Sequence, residues 1–572
     1  LVVNTAVDVE FGGTITRHPN ATTGSFIVFN ADVLIDGRGK LDLNKENTTT
    51  GCHGIRVNAP ALKVGIFNMT IRGAKAVSGW GDGISISTGQ DASSDIRVAG
   101  CTSEDNDGAG ISGADIRNGD LFNNRCLRNG GNGIFLNNFD QTFTQKIRWT
   151  RVRHNLCSFN VGSGIGVGNY IEDNNISSGV RLYGFNNMEA TDIVIEGNTC
   201  ESNGVYGIVA AALGVSVLGN TVRRNGTEGM PNGGILSNSF RPYIHNNVSE
   251  YNIGYGIDTG GSNRPSICSN VIAFNTGTAL SVECTTLAYV HGNKFNDNGS
   301  AGTSETDPGS PQINTWKTGG DGNGNWFPSI TTQPHIAGNQ FVLSGFRIGI
   351  RLDDGLDSPI VCDNIFWTHY PKLAIRDYSL TSVLRNNRPL RDALVPLTLD
   401  GTVLNVPDIM EEVAIAPTGT PTISGIRTES QRLMGTGVST IDVVNGGSGY
   451  PASPTVTISG GGGSGAAGTA RVRAGAIVGI RITARGSGYT SPPTVTVSGG
   501  TGATFTTDYA KRSPGRDRPL KLLTFTACTI AGVAADGPNV IGIPAGDISV
   551  PANGHITLRG RGEQWRVESK NF

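Results

Sequence analysis

Along the first 390 residues, short bursts of alternating apolar and polar positions recur, and asparagines punctuate them. Asn-Thr-Cys-Glu-Ser-Asn (198–203) precedes Gly207-Ile208, and Asn-Thr-Val-Arg-Arg-Asn (220–225) precedes Gly234-Ile235. Asn-Val-Ser-Glu-Tyr-Asn (247–252) precedes Gly256-Ile257, and Asn-Val-Ile-Ala-Phe-Asn (270–275) precedes Ala279-Leu280. Each copy holds two asparagines five apart, then a small residue and a branched apolar one. The apolar anchors run Ile55, Ile84, Ile111, Ile134, Ile165, Ile208, Ile235, Ile257 and Leu280, with Ile350 and Ile375 as weaker later copies. From Ile55 to Leu280 the steps are 29, 27, 23, 31, 43, 27, 22 and 23 residues. The short steps define the bare unit, and the longer ones carry insertions. A repeat in this range predicts a solenoid.

The units predict strands rather than helices. Ile-Val-Ile-Glu (193–196), Gly-Ile-Val-Ala (207–210) and Val-Ser-Val-Leu (215–218) are short, β-branched and period-two. No unit holds an amphipathic stretch long enough for a helix. Gly and Asn at the boundaries tolerate the left-handed backbone of tight corners, and stacked asparagines can hydrogen-bond into ladders. Three strands per coil and a coil spacing of about 4.8 Å follow. The pattern over roughly 30–390 resembles the right-handed parallel β-helix of the pectate-lyase-like superfamily. The implied fold class is all-β, and the scaffold by itself implies no single activity.

Within Gly-Ile-x-Val the Ile and Val face inward and x faces outward. The outward positions after each anchor are Arg56, Ser85, Ser112, Phe135, Gly166, Val209, Leu236, Asp258 and Ser281. Two further on stand Asn58, Ser87, Ala114, Asn137, Gly168, Ala211, Asn238, Gly260 and Glu283. This face reads as a bed for an extended ligand. The two longest steps place insertions at 137–153, with Asp140, Lys146 and Trp149, and at 169–192, with Tyr170, Glu172, Asp173, Arg181 and Tyr183. A shorter one carries Glu228 on the opposite border. Together they are expected to wall a cleft over the middle coils.

Composition narrows the classes. The 572 residues include 82 glycines, only 7% aromatic and 16% charged residues. A net charge of −2 favours neither nucleic acid nor an anionic membrane, and no window has the apolar length of a transmembrane helix. The nine cysteines do not form a disulfide framework: Cys126, Cys157 and Cys200 each lie two after a first Asn, so they read as an inward stack of small thiols. That fits folding in a reducing cytosol before action outside the cell. No Cys/His spacing resembles a zinc site and no calcium motif is visible, so neither metal nor cofactor is expected. The first residue is Leu1, which suggests a segment upstream.

Phe26-Ile-Val-Phe and the run from Val33 to Leu43 read as opening strands, and 1–390 as the solenoid. Residues 300–337 read as an interruption of the ladder. Residues 391–435 read as a connecting β segment. Gly-Ser-Gly-Tyr-Pro-Ala-Ser-Pro-Thr-Val-Thr-Ile-Ser-Gly-Gly (447–461) nearly repeats at 486–500, which marks a duplicated β module over 436–507. Similar modules occur in phage tail and surface proteins. Residues 508–572, with Leu-Thr-Phe-Thr (523–526) and Trp565-Arg-Val-Glu-Ser, resemble the β-structured ending of phage tailspikes, which implies a homotrimer in a virion tail, attached to the virion through the upstream segment.

The face predicts polysaccharide chemistry. Aromatic rings bind sugar C–H faces, and Asn and Arg satisfy hydroxyls and acidic groups. Asn137, Asp140, Trp149, Tyr170, Arg181, Tyr183, Asn238, Phe240 and Arg241 stand where that needs them. Hydrolysis needs two carboxylates. Asp258 is the one acid of the first outward column, and Glu283 lies one coil on and two residues along, roughly 8 Å away and within the inverting range. Glu172, Asp173 and Glu228 compete with them. Elimination is the rival, with Lys146, Arg181, Tyr183 or Arg241 as base or as partner of a uronic carboxylate. A fibre or adhesin that only binds the glycan is the alternative outside catalysis, and a secreted bacterial enzyme is the alternative to a tailspike. Trp80-Gly-Asp-Gly-Ile-Ser-Ile and Cys52-His-Gly resemble polygalacturonase motifs, but in reversed order and without the Asp-Asp pair or Arg-x-Lys signature. Asp82 and His53 therefore read as corner residues. The Asp-Pro-His-Asp motif of alginate epimerases is absent, and no family's catalytic residues carry over.

Overall fold

The computed structural model describes residues 2–17, 25–47, 51–58, 63–76, 81–87, 95–114, 116–137, 147–168, 191–227, 233–260, 262–283, 287–304, 307–316, 333–353, 356, 358–370, 373–377, 379, 382–390, 399–400, 403–406, 412–415, 422–423, 425–428, 437–473, 475–509, 519–524, 528–530, 548–561 and 564–571. They fall into two units, Leu1–Gly299 and Ser300–Phe572.

The first unit is a β-helix. The chain visits three parallel sheets in turn, A, B and C, with eleven strands in each among the described residues. Strands Ile84–Ser87, Asp95–Ala99 and Thr102–Glu104 make one coil, and Ile111–Ala114, Gly119–Phe122 and Arg125–Leu127 the next. The anchors pair in unbroken register from Ile27 through Ile55, Ile84, Ile111, Ile134, Ile165, Ile208, Ile235 and Ile257 to Leu280. The stack begins a coil earlier than the sequence pattern shows, with Val2–Val3, Val7–Phe11 and Thr14–Thr16.

Two asparagine ladders run through the turns beside sheet C. In one, the side-chain Nδ2 of Asn124, Asn155, Asn198, Asn220, Asn247 and Asn270 donates to the Oδ1 of the next coil's asparagine at 2.9–3.0 Å, ending on Asn293. In the other, Asn106, Asn129, Asn160, Asn203, Asn225, Asn252 and Asn275 do the same at 2.7–2.9 Å, ending on Asn298. All of these amides are buried. Asn198 shows how one is satisfied: its Oδ1 accepts the N–H and Nδ2 of Asn155, and its Nδ2 donates to Asn220 and to the Val152 carbonyl. A fully paired buried amide avoids the desolvation penalty that an orphan would carry.

The small residue before each anchor has a steric cause. At Gly164 a Cβ would come within 2.9 Å of Cys200 Cβ and of Asn203 Nδ2, and at Gly234 within 2.1 Å of Ser249 Oγ. So both the small residue and the anchor turn inward, against the inner column of sheet C in the following coil. That column pairs Cys126, Cys157, Cys200, Val222, Ser249 and Ile272 in register. The cysteines are free thiols, fully buried.

In the second unit, Pro311–Trp316, Ile348–Leu352 and Ile375–Asp377 pair with Ile313, Ile350 and Ile375 in line. The first of these strands lies inside 300–337, which the pattern had read as an interruption. Its inward set shows only one branched apolar residue, Ile313, so the periodicity hides it. Farther on, Glu412–Ile415 pairs with Pro519–Thr524, and Thr422–Ile423 with Cys528–Ile530. Leu404, Val406, Ile423 and Ile426 share one buried cluster with Leu520, Leu522, Ile530, Ile548, Val550, Ile556 and Leu558. The segments on both sides of the duplicated module thus form a single β domain that the module interrupts. Inside the module, Val456↔Val497 and Ile458↔Val495 pair antiparallel, relating the two repeats by a local twofold. Buried Tyr489 packs against Gly461 and Gly463 of the first repeat, and buried Tyr450 against Gly500 of the second.

Candidate functional site

Because the small residue and the anchor both point inward, the residue before them faces outward. The outer face of sheet A therefore carries a further column: His53, Asp82, Ala109, Asn132, Ser163, Tyr206, Gly233, Tyr255 and Thr278. The register Tyr206↔Gly233↔Tyr255 shows it directly. Beside it, Arg56, Ser85, Ser112, Phe135, Gly166, Val209, Leu236, Asp258 and Ser281 align coil by coil, as the alternation predicts.

The early coils hold a polar cluster. Asp82, only 3% exposed, accepts the Ala109 N–H on Oδ1 at 2.7 Å and the Ser112 hydroxyl on Oδ2 at 2.6 Å. Ser112 Oγ lies 3.2 Å from Ser85 Oγ. His53 Nδ1 accepts the Asp82 backbone N–H at 3.3 Å and lies 3.6 Å from Asp82 Oδ2. Accepting on Nδ1 places the neutral ring's proton on Nε2. Arg56 Nε donates to Asn58 Oδ1 at 2.9 Å. Burial pushes the Asp82 carboxyl up, against its two hydrogen bonds and the Arg56 charge. Burial, then Arg56, lowers His53 from 6.5 to about 4. Reading Asp82 and His53 as corner residues missed this cluster. The signal was the spacing: two before the anchor in one coil lies beside one after the anchor in the next. Part of the role is architectural, since Asn132 accepts the Ser163 N–H one position deeper in the same column.

The middle of the face is apolar and buried. Tyr206, Val209, Ala211 and Leu236 form a separate cluster, with Phe135 and Val205 against it. Val209 is 0% and Leu236 6% exposed although both stand on outward positions. Among the described residues these coils present no open polar bed.

The later coils hold Asp258. It is half-buried in Tyr255–Asp258, between Leu236 and Ser281, and its Oδ1 accepts the Gly260 N–H at 2.9 Å. Glu283 ends the next strand of the sheet, Leu280–Glu283. Asn137 closes strand Ile134–Asn137 on the outer side. Asn238 is buried, with its N–H on the Ala210 carbonyl at 3.1 Å.

Trp149 and Arg241 occupy the corner between sheets A and B. Both have positive φ, 51° and 52°, in one column with Asn118, Asp192, Gly214, Arg264 and Leu287. Their backbone is set by the corner, since Trp149 N–H donates to Thr191 and Arg241 N–H to Asn263. Trp149 is exposed, and the Arg241 guanidinium lies 5.3 Å from the centroid of the Phe240 ring. The structure thus brings Phe240 and Arg241 together and sets Trp149 on the same border several coils earlier. Asp140, Lys146, Tyr170, Glu172, Asp173, Arg181, Tyr183 and Glu228 lie outside the described residues, as do most of the expected cleft walls. No group of His, Cys, Asp and Glu suited to a metal ion occurs among the described residues.

The family model for a right-handed β-helix region matches residues 167–315. No curated protein matches the chain in sequence. Among solved structures, the chain is similar to the A-module of the Azotobacter vinelandii mannuronan C-5 epimerase AlgE6, at 15% identity and a TM-score of 0.37, covering 68% of this chain and 91% of that one. It is similar to the Siphovirus 9NA tailspike receptor binding domain at 7% identity and a TM-score of 0.33, covering 91% and 90%. A tailspike protein of E. coli bacteriophage HK620, solved in complex with a hexasaccharide, shows 13% identity, a TM-score of 0.29 and coverage of 88% and 86%. Scores this low carry no argument about activity. Strand order, register and the family model together give one conclusion: the chain is built as a right-handed parallel β-helix.

Proposed function

We propose that this β-helix binds a bacterial surface polysaccharide along the outer face of sheet A and cleaves it, as a tailspike-like depolymerase acting as a homotrimer at a virion tail or outside the cell. The observation that carries the reading is the outer column itself. It presents hydrogen-bonding side chains in successive coils, about 4.8 Å apart, at one end with Arg56, Ser85 and Ser112, and again at the other with Asp258, on either side of the apolar cluster of Tyr206, Val209 and Leu236. An extended polar polymer matches such a surface better than a compact ligand does. Hydrolysis is favoured, with Asp258 and Glu283 as the carboxylate pair and Glu172, Asp173 and Glu228 as competing members. The second reading moves the acid to Asp82, where burial raises the carboxyl as a general acid requires.

The test is digestion of capsular and O-antigen polysaccharides by the full chain, with products read by mass and ultraviolet absorbance. Products that gain water mark hydrolysis, and a new conjugated double bond marks elimination, which would shift attention to Lys146, Arg181, Tyr183 and Arg241. Asp258→Asn should lower the rate by about a thousandfold or more, while Asp82→Asn leaves it. The reverse result moves the site to the early coils. Binding with no shortening of any polymer would leave a glycan-binding fibre.

A further inference from the structure

We infer a second carbohydrate-binding surface on the outer face of sheet B, in the coils that span 213–291, which takes an uncharged sugar chain. The observation is a change of chemistry along one column. In earlier coils each outward pair of this sheet carries at least one charge: Asp95 and Arg97, then Asp120 beside Phe122, then Arg151 and Arg153, then Glu196 beside Val194. From Ser216 to His291 neither column holds a carboxylate or a guanidinium. Ser216, Tyr243, Ser266 and Tyr289 align in register, and beside them Leu218, His245, Cys268 and His291.

The two tyrosines are 53% and 40% exposed, on strands rather than loops. Each ring is steadied by the histidine two residues on. Tyr243 meets His245 edge to face at 5.5 Å, and Tyr289 stacks on His291 at 5.6 Å with only 4° between the planes. His245 Nε2 is in turn held by Ser266 Oγ at 2.9 Å. The serine between the tyrosines is small, so the two rings rise two strand spacings apart, about 9.6 Å, with a low polar step between them. Ring faces take the C–H side of a pyranose, and serine hydroxyls and imidazole nitrogens exchange hydrogen bonds with its hydroxyls. With no carboxylate or guanidinium in these eight positions, the bed itself holds nothing to offset a uronic acid or a sulfate, and the guanidiniums of these coils, Arg241 and Arg264, stand at the corner with sheet A. A protein partner would need a continuous apolar area, which the alternating serines break. The surface faces away from sheet A, and the inference does not depend on where cleavage occurs.

The test is nitration by tetranitromethane, read tyrosine by tyrosine in peptide masses of the full chain, with dextran, laminarin, galactomannan and alginate as probes. Tyr251, also exposed but on the sheet C corner, is the internal reference. At least one neutral polymer should slow nitration of Tyr243 and Tyr289 by about tenfold and leave Tyr251 unchanged. The double variant Tyr243→Ser with Tyr289→Ser should bind that polymer about tenfold more weakly, or 1.4 kcal/mol. Serine already fills this column at 216 and 266, so the fold tolerates it. Unchanged nitration with every neutral polymer overturns the inference. So does protection by alginate alone, and so does protection that grows with protein concentration in the absence of sugar, which would make the face a contact between copies.

Discussion

Replacing Asn225 with alanine removes a side chain that holds three coils at once. Its Oδ1 accepts the Asn203 backbone N–H at 3.0 Å and Asn203 Nδ2 at 2.8 Å. Its Nδ2 donates to Asn252 Oδ1 at 2.9 Å and to the Cys200 carbonyl at 3.0 Å. The backbone N–H at 225 survives the change and still reaches Asn252 Oδ1. Two groups then lose their partners in a fully buried site, the Asn203 N–H and one hydrogen of Asn203 Nδ2, while the Cys200 carbonyl keeps the Arg223 N–H of the sheet C pairing. At about 1–3 kcal/mol for each buried orphan, the loss is about 2–6 kcal/mol, a large share of the stability of an ordinary domain. Arg224→Ala is the neighbouring control. That side chain is exposed, its pair with Glu201 Oε1 at 3.1 Å is screened, and its removal should shift stability by less than about 1 kcal/mol. Solenoids need not unfold in one step, so guanidinium unfolding followed by tryptophan fluorescence should be joined by hydrogen exchange at the Asn203 amide. In Asn225→Ala that amide should exchange at least about thirtyfold faster, as about 2 kcal/mol of lost protection demands. Equal exchange in the two variants, with midpoints within error, would refute the accounting of the ladder.

Three other outcomes follow from the same geometry. The folded chain resists protonation of His53 until about pH 4, whereas the unfolded chain takes the proton near 6.5; stability should therefore fall as pH drops through that window, by up to roughly 3 kcal/mol. In His53→Gln this part of the slope should vanish from the guanidinium midpoint measured against pH, and an unchanged slope would contradict the assignment. Burial pushes Cys101 up to about 12, and burial with neighbouring thiols holds Cys126 and Cys157 well above the usual range; iodoacetamide at pH 8 should label half-buried Cys268 in the native protein and these three only after denaturation, by peptide mass. Gly234→Ala would press a methyl to 2.5 Å from the Gly256 carbonyl as well as onto Ser249 Oγ, and it should destabilise by about 2 kcal/mol or more in chemical denaturation.

The anchors, the asparagine ladders and the cysteine stack were legible because each repeats at every coil, so one register error would have broken the whole series. The polar cluster at Asp82 was hidden for the opposite reason. It joins residues from three different coils, His53, Asp82 and Ser112, and no single unit displays it. Its visibility depends on knowing that glycine and the anchor turn inward together, which strict alternation denies. The buried outer face at Val209 and Leu236 is a second case: alternation fixes the side on which a residue stands, but not whether that side is open. The strand Pro311–Trp316 escaped because one isoleucine is too little pattern. The shared core of 404–426 with 520–558 escaped because strand pairing across an inserted module leaves no periodic trace.

The two asparagine ladders also bear on how such a chain can change in length. Every amide-to-amide link points in the same direction, toward the next coil, and the links along a ladder are chemically alike. A ladder therefore has no memory of which coil follows which. Excising residues 198–219 would join Gly197 to Asn220, with Asn155 meeting Asn220 and Asn160 meeting Asn225 through the contacts they already use. Growth and shrinkage in whole coils preserve the interior, whereas loss of a single residue does not. The rod can be lengthened or shortened in fixed increments by duplication or deletion, and its outer surfaces are then free to diverge on a frame that does not need to be reinvented.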